Sequence, residues 1–415
     1  MTLRVLVLGC GDVGSAVAHR LFLHGADVVL ADVEAPAHPR RGMAFVDAWF
    51  TGTATLECVA TQMVPDVGGL ASTLEAMDAI AGTCASPMAT AAAFRPDALV
   101  DARMLKRAVP EDVRTLAPRT VGLGPGFAPG LNCTVAIETA WGDGLGEVLH
   151  DAPASPLAGE PRVLGGAGRE RFVYAGQAGL WRTAAHIGDH VSDGAVIGEL
   201  AGEAVRAPLT GLLRGLTHDG VAVHARQKIV EVDPSAEPDA HGLGARPSAL
   251  ARGVARALGL PTGLDEAFFG FEREFKRTLD CMPMSMRLKL DRCGLKLSLE
   301  QWRALPLPLR ETLLEMSVDT ARQADRLAGL LRRRQQQLGW SELPRVRVED
   351  GVWHTVDAVP HAVAERCFDM SLSAPSADHW SALTLLQRYA LAKLATNRSG
   401  RNWREALDEF LANSA

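Results

Sequence analysis

From Leu3 to about residue 152, short runs rich in β-branched residues alternate with Ala/Leu-rich amphipathic stretches, the pattern of a mostly parallel sheet with helices on its faces. The alternation predicts strands at Arg4–Leu8, Asp27–Ala31, Ala98–Asp101, Arg119–Leu123 and Thr134–Glu138, and helices at Val13–His24 and Leu70–Ala81. Residues 153–170 are rich in Pro, Gly and Ala, show no periodicity, and read as a linker. Over 171–235 the pattern shortens to brief runs cut by Gly-Asp and Asp-Gly turns, which need φ > 0. This stretch repeats itself every 32 residues, pairing Ala175 with Ala207, Gly179 with Gly211, His186 with His218, Gly188 with Gly220 and Ile197 with Ile229. Two such halves can close a small flattened barrel. A polar loop and an Ala/Arg-rich helix from near Pro247 to Gly259 form a second linker over 236–262. The remainder, 263–415, has helical periodicity and a repeat of its own: the Trp302 to Arg310 stretch answers the Trp380 to Arg388 stretch, and Ser298 with Gln301 has the spacing of a capping box.

The expected fold is therefore an α/β Rossmann-like domain (1–152), a duplicated β-rich module of biotinyl/lipoyl-like (hammerhead) type (171–235), and an all-α C-terminal domain (263–415). Composition agrees with it. At 415 residues the chain exceeds one ordinary core, and 47% apolar against 22% charged residues is the balance of a chain that buries its apolar surface. A net charge of −6 with no basic stripe argues against nucleic acid as a partner. The first residues read as a strand rather than a secretory signal, and no apolar run approaches the roughly 18 residues of a membrane span, so a cytoplasmic location without a membrane partner is expected. The seven cysteines are scattered and are expected to be reduced thiols.

The chemistry gathers first in Gly9-Cys10-Gly11-Asp12-Val13-Gly14, which follows a predicted strand and opens a predicted helix. Glycines at Gly9, Gly11 and Gly14 suit a tight turn, a close backbone approach to a pyrophosphate and close helix packing, and Asp32 ends the next strand where a carboxylate can accept from a ribose. Asp12 works against this reading, because its charge competes with an anion for the helix N-terminus. A second glycine loop, Gly122 to Gly130 with Gly124 and Gly126 inside it, follows another strand, and its N–H groups could form an anion nest. Arg40, Arg41, Lys106 and Arg107 follow strands too and could hold a phosphate at the same edge, the plainer alternative being turn glycines and solvated cations.

Other motifs narrow the field by exclusion. A swinging-arm carrier needs a lysine between the halves of the β module, yet no lysine occurs between Lys106 and Lys228, so neither biotin nor lipoate can be attached there. His186 and His190 are separated by a Gly-Asp turn that breaks any helix aligning them, and Cys281 and Cys293 lack a third and fourth partner at zinc spacing, so no metal set is legible. Tyr389 and Lys393 have the spacing of a dehydrogenase acid/base pair but lie far from the nucleotide-type region and read as coincidence.

Residues 1 to about 260 resemble the YqeB-like proteins of the selenium-dependent molybdenum hydroxylase system, akin to XdhC-type factors. The resemblance rests on Gly-Cys-Gly-Asp at 9–12, Arg40-Arg41, Val100-Asp101-Ala102 with Lys106-Arg107, Gly-Leu-Gly-Pro-Gly-Phe at 122–127, Glu138-Thr139, the Ala207 to Leu216 run, Lys228-Ile229 and Asp233-Pro234. From about Phe269 the chain resembles the nitrate reductase associated family, through Phe271-Glu272, Phe275, the Leu279 to Met284 and Arg287 to Leu297 runs, Trp302, and the Trp380 to Lys393 stretch. Together these resemblances imply an accessory or maturation factor for a molybdenum-cofactor enzyme, with nitrate reductase as partner. The implied ligand is the molybdenum cofactor (molybdopterin) or an NAD(P)-like nucleotide. Gly14 completes a Gly-x-Gly-x-x-Gly pattern that is looser in the first family, and Ser235 replaces its usual Arg. An NAD(P)-dependent oxidoreductase and a non-catalytic interaction protein are the alternatives.

Overall fold

Nine strands build one sheet around the apolar run Val5–Leu8, whose four residues are fully buried. The computed structural model describes all residues except 1, 77, 106–108, 158–160, 263, 265–266, 346–350, 397–401 and 413–415. The strands are β1 (Arg4–Leu8), β2 (Asp27–Ala31), β3 (Thr53–Leu56), β4 (Val59–Met63), β5 (Ile80–Thr83), β6 (Ala98–Asp101), β7 (Arg119–Leu123), β8 (Val135–Ile137) and β9 (Val148–Leu149), in spatial order β3-β4-β5-β2-β1-β6-β7-β8-β9. All neighbours from β4 to β8 pair parallel; only the edge strands β3 and β9 run antiparallel. From β1 the chain first builds outward through β2 and then returns to place β6 on the other side of β1. The crevice where such an order reverses, at the carboxyl ends of β1 and β6, is where open sheets hold ligands.

Helices α1 (Asp12–Leu23), α2 (Ala48–Thr51), α3 (Leu70–Ala76) and α4 (Pro87–Phe94) lie among these strands. Ser86 caps α4 by accepting from the Ala89 N–H, with Pro87 at the first helical position, the placement where a missing N–H removes no bond. Two expectations need correcting. The helix expected over 70–81 stops at Ala76, because Ile80–Thr83 is wanted as a fully buried strand between β2 and β4. Strands β3, β4 and β9 were not expected either: β3 and β9 are short edges with little apolar signal, and Thr61 and Gln62 interrupt that of β4.

The β-rich middle consists of two four-stranded sheets, β10-β17-β15-β12 and β14-β13-β11-β16. Their strands are β10 (Phe172–Tyr174), β11 (Gly179–Arg182), β12 (His190–Val191), β13 (Val196–Leu200), β14 (Glu203–Arg206), β15 (Gly211–Leu216), β16 (Ala222–Val223) and β17 (Lys228–Asp233). The 32-residue repeat is visible in the starts: 179 and 211, 190 and 222, 196 and 228. Each half places its shortest strand in the other half's sheet, β12 against β15 and β16 against β11. Neither half can therefore complete its sheet alone. Their shared core holds Trp181, Leu213, Leu216, Ile229 and Val232, with the Trp181 indole N–H donating to the Thr217 carbonyl at 3.0 Å. The helix α5 (Ala245–Ala257) packs on α1 and against β8 and β9, and Gly253 permits its close approach to the turn before β9, since a Cβ there would stand 2.4 Å from the Gly146 carbonyl oxygen.

The chain divides into two compact units, Met1–Leu260 and Pro261–Ala415. The second is helical: α6 (Met284–Arg292), α7 (Leu299–Ala304), α8 (Leu307–Glu315), α9 (Ala321–Gln337), α10 (His361–Asp369), α11 (Ala377–Ala382), α12 (Leu385–Ala395) and α13 (Trp403–Ala412). The duplication seen around the two tryptophans extends over these elements, since α6, α7 and α8 begin at 284, 299 and 307 and α10, α11 and α12 at 361, 377 and 385. Ser298 and Ser376 each accept from the N–H three residues on. Trp302 and Trp380, both fully buried, donate their indole N–H to the Leu279 and Thr355 carbonyls, and the equivalent Arg310 and Arg388 also bind main-chain carbonyls. The halves meet where α6 packs on α12: Tyr389 and Lys393 both reach Asp291 Oδ2, at 2.9 and 2.8 Å. Their spacing thus serves a helix-to-helix contact.

Candidate functional site at the carboxyl edge of the large sheet

The turn after β1 is shaped by its glycines. Gly9 has φ +96°, and a Cβ on it would lie 2.9 Å from the Arg103 Cα just past β6. A Cβ on Gly14 would fall 1.7 Å from the Gly9 carbonyl oxygen, so only glycine lets α1 start this close to β1. At Gly11 the neighbour is the His38 ring, whose Nδ1 would be 3.0 Å from a Cβ. The turn is thus tight and closely packed by backbone, as its spacing predicts.

What fills the space in front of it was not legible. Asp32, at the end of β2, accepts from the Cys10 N–H at 2.7 Å, from its own neighbour Val33 at 2.7 Å, and bonds His38 Nε2 at 3.0 Å. Burial opposes ionisation of Asp32, but the bonds and charge of His38 outweigh it and hold the carboxyl below its usual range; His38 is raised in return, against its own burial. Burial, then the charge of Asp32, pushes the Cys10 thiol well above its ordinary value. One ligand atom each from Cys10, Asp32 and His38 lies within 4.8 Å of the others.

Asp12 accepts from its neighbour Val13 and pairs with Arg40 at 2.9 Å, and Arg40 in turn makes a two-pronged contact to Glu231 of β17, at 2.8 and 3.0 Å. Glu231 is fully buried and gathers three further cations: Lys228 at 3.3 Å, Arg171 at 3.5 Å and Arg214 at 3.6 Å. Arg214 also holds Asp233 at 3.1 Å. Although burial penalises the Glu231 charge, Arg40 and Lys228 more than compensate, and the carboxyl falls to about 2. Asp12 is lowered for the same reason, against burial, chiefly by Arg40. Arg40 and the β-module residues Arg214, Lys228 and Asp233, more than 170 positions apart, therefore belong to one cluster.

The remaining expected residues lie as follows. Arg41 donates to the Leu216 carbonyl at 2.7 Å and to Asp47 at 2.6 Å, so it fastens the loop after β2 to β15. Gly124 and Gly126, at φ +102° and +89°, turn the loop after β7; Asn132 braces that loop by accepting from the Ala128 N–H and donating to the Gly126 carbonyl. Arg103 is held two-pronged by Asp101. Lys106 and Arg107 lie outside the described residues. Spacing gave no signal for His38, Glu231, Arg171 or Arg246. Arg246 donates from α5 to the Thr139 carbonyl and feels the charge of Asp12.

Residues 268–410, within the second unit, match the family model described as the conserved nitrate reductase-associated protein. Over 260 residues the chain is 34% identical to "Uncharacterized protein YqeB" of Escherichia coli (strain K12), an alignment covering 61% of this chain and 47% of that protein, so the chain spans about half the length of the curated relative it matches. Among solved structures, the product-bound ectoine utilization protein EutE (DoeB) of Ruegeria pomeroyi aligns with 56% of this chain and 85% of its own at 14% identity and TM-score 0.18. An aspartoacylase family protein of Mesorhizobium loti aligns with 57% and 87% at 10% identity and TM-score 0.19. At that level of superposition neither fixes a fold or an activity here.

Proposed function

We propose that this chain is an accessory factor for a molybdenum-cofactor enzyme, nitrate reductase first among them, in which the helical unit docks the enzyme and the N-terminal unit handles the cofactor. The observation that carries the proposal is the match of residues 268–410 to the nitrate reductase-associated family in the same chain as a YqeB-like region. Strand order and the glycine turn support a Rossmann-like reading of the first region. The two interlocked halves support a hammerhead-like reading of the middle.

The charge cluster supports an anionic ligand such as the pterin phosphate. Among the described residues Arg40, Arg171, Arg214 and Lys228 gather around Asp12, Glu231 and Asp233, and Arg40 and Lys228 are about a quarter exposed. The NAD(P) reading draws less support, because His38 and two main-chain donors already take three of the roughly four acceptor positions of the Asp32 carboxylate. The test is to purify the full chain from cells growing on nitrate and assay what comes with it. Nitrate reductase and molybdopterin are expected in the eluate. Deleting the gene without changing the activity or the cofactor content of the reductase would overturn the proposal.

A further inference from the structure

We infer that Cys10, Asp32 and His38 form a binding site for a zinc-class divalent metal ion, with the thiolate, one carboxylate oxygen and one imidazole nitrogen as ligands and a fourth position open. Three ligand atoms of different elements already lie within 4.8 Å of one another, and Asp32 Oδ2 and His38 Nε2 are 3.0 Å apart. Ligands about 2.0–2.3 Å from a tetrahedral ion stand roughly 3.3–3.6 Å from each other, so closing the set needs shifts of an ångström or so. The donor set is a borderline one, sulfur, nitrogen and oxygen, which favours zinc-like ions over magnesium or calcium.

The support around the set is that of a held site. Asp32 is oriented by the Cys10 and Val33 N–H groups, and the His38 ring lies on Gly11, where a side chain would push it away. Cys10 is fully buried and Asp32 nearly so, whereas the His38 side chain is 34% exposed and gives an ion a way in. Three residues on separate segments, after β1, after β2 and in the loop beyond it, have no spacing motif, which is why the chain alone shows no metal set. The inference is independent of the accessory role proposed above.

The full-length chain, reduced and stripped with chelator, is titrated with Zn2+ and with Co2+. One equivalent per chain is expected, with a thiolate-to-cobalt charge-transfer band, and X-ray absorption at the zinc edge should show one sulfur among otherwise light ligands. Cys10→Ser and His38→Gln should each weaken binding by at least about tenfold and Cys10→Ser should abolish the band, while Cys281→Ser, in the helical unit, leaves both unchanged. A zinc shell without sulfur in the unmodified protein, or binding that survives both substitutions, overturns the inference whether or not the variants fold well.

Discussion

Replacing Glu231 by Gln removes one charge from a fully buried position ringed by Arg40, Arg171, Arg214 and Lys228, and keeps the volume nearly constant. In the folded chain the carboxyl falls from 4.5 to about 2. A depression of that size is worth about 3 kcal/mol of stability at neutral pH, at about 1.4 kcal/mol per unit, which agrees with the roughly 3–5 kcal/mol lost when a buried pair is broken from one side. The sign follows from the direction of the shift. The contribution is fully present above the unfolded value near 4.5 and disappears as pH falls through about 2. The gap between parent and variant should therefore be about 3 kcal/mol at pH 7 and narrow by about 2 kcal/mol at pH 3. Urea titrations of 5-fluorotryptophan-labelled protein, read at the Trp181 fluorine signal and assigned with Trp181→Phe, report on the module that holds Glu231. A gap that is the same at both pH values would refute the idea that the clustered cations hold Glu231 ionised.

Glu272, buried and accepting from the Phe269 and Met284 N–H groups, is nevertheless raised to about 7 by its burial. Its contribution to the helical unit is complete below about 4.5 and is lost as pH rises through about 7, so thermal stability of that unit should decline over this window, and Glu272→Gln should flatten the decline in melting curves at successive pH values. Gly14→Ala sets a Cβ on the Gly9 carbonyl oxygen and should destabilise the N-terminal unit by several kcal/mol or prevent its folding, seen as insoluble expression or lost cooperative unfolding. Trp302→Ala removes a fully buried ring and its bond to Leu279 and should cost about 3–5 kcal/mol, with Trp302→Phe losing only part of it in the same denaturation assay. Asp12→Asn leaves Arg40 one carboxylate fewer and takes a negative charge from the start of α1, so pyrophosphate binding measured by calorimetry should tighten several-fold; weaker binding would mean that Asp12 helps rather than hinders an anion.

The amino-acid sequence by itself determined whatever depends on local periodicity and local backbone conformation. Arg4–Leu8, Asp27–Ala31, Ala98–Asp101 and Arg119–Leu123 are strands centred on their apolar runs, because a strand buried on both faces is mostly apolar along its interior, with charged residues at its ends. Both repeats were legible for the same reason, as equal residues at equal spacing fold into equal elements. The glycine turn was legible because the positive φ of Gly9 and the contact of Gly14 with the Gly9 carbonyl are local, although the close approach of Arg103 to Gly9 comes from the sheet topology. Only the tertiary structure decided what the charged residues do. Arg40 and Arg41 look like exposed cations ready for a phosphate, yet Arg40 is shared between Asp12 and Glu231, and Arg41 is tied to Leu216 and Asp47. Asp32 looks like a ribose acceptor, yet His38 and the Cys10 amide already face it. Electrostatic and coordinating contacts have no period along a chain; they depend on which segments the topology carries to one sheet edge, and here that edge gathers residues from the turn after β1, the loop after β2 and strand β17.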